Sequence, residues 1–217
     1  VLDDMERAIQ NGATGVTTNP LLVRRSLYAN PAAWRPYLLE FPPLRGDAKA
    51  EELIRRVTVP IAGRFHPIWE AGGGSQGFVC AQVNPCKPGD ADGMMAMARR
   101  LAAWADNIAV KLPATAAGLD AIEECAALGI TTVGTVSFTV PQAVEIARRQ
   151  HLGAQRALKA GRKPGRAFSV VMVGRLDDYL RDVAWDSRAD IREADIRQAG
   201  TAAIKRAYAL VREAGYE

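Results

Sequence analysis

A chain of 217 residues with 48% hydrophobic and 24% charged residues can bury a substantial core, as one large domain or two small ones. No apolar stretch approaches the length of a membrane span, and Val1-Leu2-Asp3-Asp4 is no signal peptide, so a cytoplasmic protein without a membrane partner is expected. Cys80, Cys86 and Cys125 show no CxxC spacing, and His66 and His151 are the only histidines, which argues against a disulfide framework and against metal; no cofactor is expected.

The net charge of +4 comes largely from residues 146–175, which lack Asp and Glu but carry Arg148, Arg149, Arg156, Lys159, Arg162, Lys163, Arg166 and Arg175. Nucleic-acid binding would need such a patch. A solvated helix face is the commoner explanation.

Asp3-Asp4-Met5-Glu6 resembles a capping box, and a helix running from it stops at Gly12. Residues 13–18 are β-prone and end at Asn19-Pro20. Helices are expected over 21–28 and 32–41, separated by Asn30-Pro31. A third, from Asp47 to about Ala71, should kink or break at Pro60 and Pro67. Gly72 to Gly77 formally matches GxGxxG, but it precedes the apolar run 78–83 instead of following a strand, and reads as a loop. A helix capped by Asp90 or Asp92 carries Met94, Met97 and Leu101 on one stripe. Further strands are expected over 107–112, 131–137 and 167–173. Helices over 116–128, from Pro141 towards Gly161, and from Gly174 to near Ala214 with a break at 185–190 alternate with them. Alternation of this kind indicates a parallel α/β sheet, as a barrel or as an open doubly wound sheet.

Within Asn107-Ile108-Ala109-Val110-Lys111-Leu112-Pro113 both strand faces read as covered, yet one carries Lys111. A buried lysine has a lowered pKa and spends more time as a nucleophilic amine; a lysine at a strand end can instead snorkel to water. Polar residues gather at the other strand ends: Thr17 with Asn19, Gln82 with Asn84, and Thr135 with Ser137, each pair sharing a face if the strand continues through it.

Here the sequence resembles the transaldolase family. Gly15-Val16-Thr17-Thr18-Asn19-Pro20-Leu21-Leu22 is similar to its first signature, and residues 110–119 around Lys111 are similar to the one that holds its Schiff-base lysine. Gly129-Ile130, Thr135, Phe138, Gln142-Ala143 and Val173-Gly174-Arg175 extend the match over nearly the whole chain. The resemblance implies a parallel (β/α) TIM barrel, with roughly five of the eight βα units in residues 1–217 as a single domain incomplete at both ends. It implies transfer of a three-carbon dihydroxyacetone unit between sugar phosphates through an imine on Lys111, without metal or organic cofactor. Gln82 and Thr135 would work with the catalytic water, Thr17, Asn19 and Ser137 would bind substrate, and Arg175 would face the phosphate, where a planar, permanently charged fork is well suited.

Departures from the family pattern open alternatives. Gln82 stands where classical transaldolases have glutamate and the related fructose-6-phosphate aldolases have glutamine, which suggests a lyase. Val133 and Val170 stand where many members have asparagine and serine, and Met172 where they have an aromatic residue. The family's first-strand aspartate would lie before Val1, since Asp3 and Asp4 fall too late. Together these admit a catalytically idle sugar-phosphate-binding homologue. Donor, acceptor and oligomeric state, homo-oligomer included, stay open.

Overall fold

The computed structural model describes residues 2–216, with side chains from Met5 onward, so the capping expected of Asp3 and Asp4 lies outside the described residues. The chain packs as two compact units, Val1–Cys86 with Gly93–Lys111, and Lys87–Asp92 with Leu112–Glu217. Strands and helices alternate along both, the strand pairings within each unit are parallel, and strand order follows chain order, β1-β2-β3 in the first unit and β4-β5 in the second. The fold class is parallel α/β, consistent with part of a TIM barrel.

In the first unit α1 (Leu2–Gln10) leads to β1 (Gly15–Val16), α2 (Pro20–Ala29), α3 (Pro31–Trp34), a 3₁₀ turn (Arg35–Leu38), α4 (Gly46–Ala71) and β2 (Phe78–Gln82). Most of α5 (Ala91–Ala102) and β3 (Ile108–Pro113) as far as Lys111 complete it. Val79 pairs with Ile108 and Ala81 with Val110, all four buried, so one face of β2 and β3 is wholly apolar. The glycine loop before β2 is structural. Gly77 has φ +77, and a Cβ there would meet the backbone nitrogen of Trp69 at 2.4 Å. Beside it, the buried Asn107 donates through Nδ2 to the carbonyls of Ala62 (2.9 Å) and Gly77 (2.8 Å), tying the start of β3 to α4 and to that loop.

In the second unit α6 (Ala116–Ala127), β4 (Thr132–Thr135), α7 (Val140–Lys159), β5 (Ala167–Ser169), α8 (Val173–Asp186) and α9 (Glu193–Glu213) follow. Gln150 of α7, buried, donates to Thr132 Oγ1 and to the Phe168 carbonyl, each at 3.0 Å, which pins the β4–β5 pair to its helix. Thr115 caps α6, and Thr139 with Gln142 forms a capping box on α7. Gly118 follows the first cap because a Cβ there would meet the Pro113 carbonyl oxygen at 2.0 Å.

Three expectations need correction. Helix α4 runs unbroken through Pro60 and Pro67. Each interior proline costs about 3 kcal/mol, but burying Ile54, Val57, Ile61 and Phe65 contributes about 1.5–3 kcal/mol apiece, enough to hold the helix together. The helix expected over 32–41 is a single α turn followed by the 3₁₀ turn, because Pro36 has no N–H to continue the ladder. The strands at 13–18, 131–137 and 167–173 are shorter than expected: β1 ends at Val16, β4 at Thr135 and β5 at Ser169. Val136 has φ +56, a costly value for a β-branched residue, and it ends β4.

Asn107→Ala removes the donor from two buried carbonyls and should cost about 2–4 kcal/mol. Urea unfolding should show a lower midpoint with an unchanged slope, and an unchanged midpoint would contradict the role given to this side chain.

Candidate functional site

The register of the first unit assembles the site. Gln82 pairs with Lys111 and Cys80 with Ala109, so Cys80, Gln82 and Lys111 project from the same face, opposite the apolar one. Val16 pairs with Val79, which puts Thr17, the next residue along, beside Cys80 on that face. Lys111 on β3 donates from Nζ to Thr17 Oγ1 at 3.2 Å, reaching across β2 to do so. Its carbonyl accepts from Val83 N, and Thr18 Oγ1 donates to the Cys80 carbonyl at 2.6 Å, so all three strand ends are tied together.

Lys111 is only 9% exposed, which decides between burial and snorkelling. Burial pulls its ammonium below the ordinary lysine value, and the negative charge of a Cys80 thiolate would act in the opposite direction. The Cys80 thiol is pushed up by the same loss of water, against hydrogen bonds from the Thr17 hydroxyl and the Thr18 N–H and the charge of Lys111. Loss of water thus shifts both groups toward their neutral forms, amine and thiol.

Cys80 is the residue that sequence reasoning missed. It was considered only for disulfide and metal chemistry, yet its place two residues before Gln82 assigns it to the Lys111 face.

Of the expected polar pairs, the first members stand at strand ends, whereas the second members hold the turns. Asn19 caps α2, its Oδ1 accepting from Leu22 N at 2.8 Å. Asn84 accepts from Cys86 N at 2.9 Å. Thr135 is buried at the end of β4, but the turn at Val136 ends the alternation that would have put Ser137 on its face. Ser137 is fully buried and donates its hydroxyl to the Val170 carbonyl. Arg175 is exposed in the first turn of α8, 3.6 Å from Asp178.

The basic stretch meets carboxylates on its own helix and on α6. Glu145 binds Arg148 and Arg149, Glu123 binds Arg149 and Arg156, and Glu124 binds Arg156. Arg148 foremost holds the Glu145 carboxyl down at about 2. Arg148, Arg149 and Arg156 thus form an ion-paired helix face. Among the described residues, no group of three or more His, Cys, Asp or Glu side chains is arranged to hold a metal ion, and no helix is long and apolar enough to cross a membrane.

A parallel α/β fold with a buried amine among hydroxyl and thiol groups, toward the carboxyl ends of its strands, defines the class. Residues 1–217 match the family model described as transaldolase/fructose-6-phosphate aldolase, and the chain belongs to that family. A transaldolase of Mycobacterium leprae (strain Br4923) is 31% identical over 233 aligned residues, covering 98% of this chain and 61% of its own length. A transaldolase of Thiobacillus denitrificans is 29% identical, covering 77% of this chain and 48% of its own length. Transaldolase 1 of Streptomyces avermitilis is 31% identical, at 76% and 45%. The chain thus spans about half to three-fifths of the length of these relatives.

Because the folded pKa of Lys111 is depressed, the unfolded chain holds a proton that the fold lacks between that value and the ordinary lysine pKa. Stability rises with pH across that window; below it, the fold carries a buried ammonium at a cost. Lys111→Met should therefore raise the urea midpoint at neutral pH, with a gain that shrinks as pH climbs through the window. The Cys80 thiol, whose raised pKa works in the opposite sense, is present in both proteins. A gain that is constant or grows with pH would contradict the assignment.

Proposed function

We propose that the protein acts on sugar phosphates as a transaldolase-like transferase, with Lys111 as the nucleophile. The observation that carries this reading is the Lys111 side chain itself, an amine kept from water and within reach of the Thr17 hydroxyl. The amine lone pair attacks the ketose carbonyl carbon, the carbonyl π electrons go to oxygen, and proton transfer followed by loss of water leaves the imine. Protonated, that imine accepts the electron pair of the C3–C4 bond as it breaks, while the C4 hydroxyl gives its proton to water and becomes the aldehyde of the released aldose, leaving a three-carbon enamine for transfer to an acceptor aldose.

Gln82, the register partner of Lys111, would bind water at the site. Roles for Thr135 with that water, for Asn19 and Ser137 toward substrate, and for Arg175 toward the phosphate rest on the family resemblance. The proposal takes the chain as a single domain of the family, in keeping with a match over its whole length. It assigns the protein to the cytoplasm, with which three free cysteines agree. Gln82 in place of glutamate favours a second reading, in which water protonates the enamine at carbon and a further water hydrolyses the resulting imine, releasing free ketone and the lysine amine, as in an aldolase.

Incubation with fructose 6-phosphate followed by borohydride should fix a covalent adduct on Lys111. Lys111→Met and Lys111→Arg should abolish it, since neither side chain forms an imine under these conditions. An adduct on Lys159 or Lys205, or none from folded protein, would overturn the reading. Release of dihydroxyacetone without an acceptor aldose would select the lyase.

A further inference from the structure

The Thr17 hydroxyl has two neighbours that compete for its single hydrogen. They are the Lys111 amine, 3.2 Å away, and the sulfur of Cys80, on the strand that lies between β1 and β3. A hydroxyl has one hydrogen to give and two lone pairs with which to accept. If the hydrogen goes to the amine, it occupies the nitrogen lone pair, the same pair that must attack a carbonyl. If it goes to sulfur, the oxygen can only accept, and the amine spends an N–H on it, keeping its lone pair for the carbonyl.

From this arrangement we infer that Cys80 is a positioning residue: its sulfur takes the Thr17 hydroxyl hydrogen, so that Thr17 accepts from Lys111 and leaves the amine lone pair free to react. The inference rests on the proposed role of Lys111 as nucleophile.

Three observations support it. The register puts Thr17, Cys80 and Lys111 on one face. The Thr18 hydroxyl grips the Cys80 carbonyl at 2.6 Å, fixing the backbone that carries the sulfur. Thr17 and the Thr18 N–H act on that sulfur as donors, and its raised pKa keeps it a thiol, which accepts the hydrogen without adding a charge beside the amine. Among the described titratable groups, the Cys80 thiol is the one whose charge acts on Lys111, and the neighbours Thr17 and Gln82 on the same face carry none.

The measurement is the rate at which Lys111 forms a reducible imine, read by peptide mass after cyanoborohydride trapping across a pH series, with dihydroxyacetone and separately with formaldehyde. Cys80→Ala should lower the high-pH plateau about fivefold, the worth of one hydrogen bond, because the freed hydroxyl turns its hydrogen to the amine. Cys80→Ser, which restores an acceptor, should stay within about twofold of the parent. In a Thr17→Val background, where there is no hydroxyl hydrogen to steer, Cys80→Ala should have no further effect.

An unchanged plateau in Cys80→Ala, an equal loss in Cys80→Ser, or the same loss repeated on Thr17→Val would overturn the inference. Formaldehyde needs no sugar site, which separates the two claims. Formaldehyde labelling that follows Cys80 while dihydroxyacetone leaves no adduct upholds the inference and counts against the sugar-phosphate reading. A dihydroxyacetone adduct with labelling indifferent to Cys80 does the reverse.

Discussion

Taking an amine out of water is the constraint on which the site depends. A lysine on a strand with both faces covered must either surrender its proton more easily or find a counter-charge, and the nearest titratable partner of Lys111 is a thiol that burial itself keeps neutral. The sheet register follows the same demand. With Gln82, Cys80 and Thr17 as its neighbours, Lys111 meets polar atoms and, among the described residues, no carboxylate that would hold it as an ammonium. The apolar face behind, with Val79, Ala81, Ile108 and Val110 packed beneath the helices, keeps that arrangement rigid.

The residues that make a family signature recognisable divide between chemistry and architecture. Asn19 and Thr115 cap α2 and α6, Gln142 closes the capping box of α7, and Gly118 leaves room for the Pro113 carbonyl. Each strand-to-helix junction in these motifs is thus fixed by a hydrogen bond or a steric limit of its own. Such junctions are what a (β/α) fold requires if reactive side chains are to stand at strand ends in constant positions.

Much of this was legible in the sequence, for identifiable reasons. Alternating β-branched runs and amphipathic stretches give the element order, and the apolar neighbours of Lys111 raise its burial as one of two readings, the other being an ammonium that snorkels to water. The helix break expected at 185–190 is present, two residues later, at 187–192. What the sequence could not show depends on distant partners. Proline weakens a helix locally, but α4 is held by side chains that pack from elsewhere in the first unit. The carboxylates that neutralise Arg149 and Arg156 come largely from α6, more than twenty positions upstream of these arginines. Strand alternation put Ser137 on the face of Thr135 only until the turn at Val136 intervened. Cys80 does not stand out in the sequence as a site residue because its place comes from register, from lying opposite Ala109 and two pairs before Lys111.

The central claim is that Lys111 is a buried amine with a depressed pKa. It can be tested directly by NMR titration of the folded protein carrying lysine labelled with ¹³C at Cε, with the resonance of Lys111 assigned by its loss in Lys111→Met. The Lys111 signal should titrate at a clearly lower pH than those of Lys49, Lys159 and Lys205. A Lys111 signal that titrates together with theirs would contradict the claim.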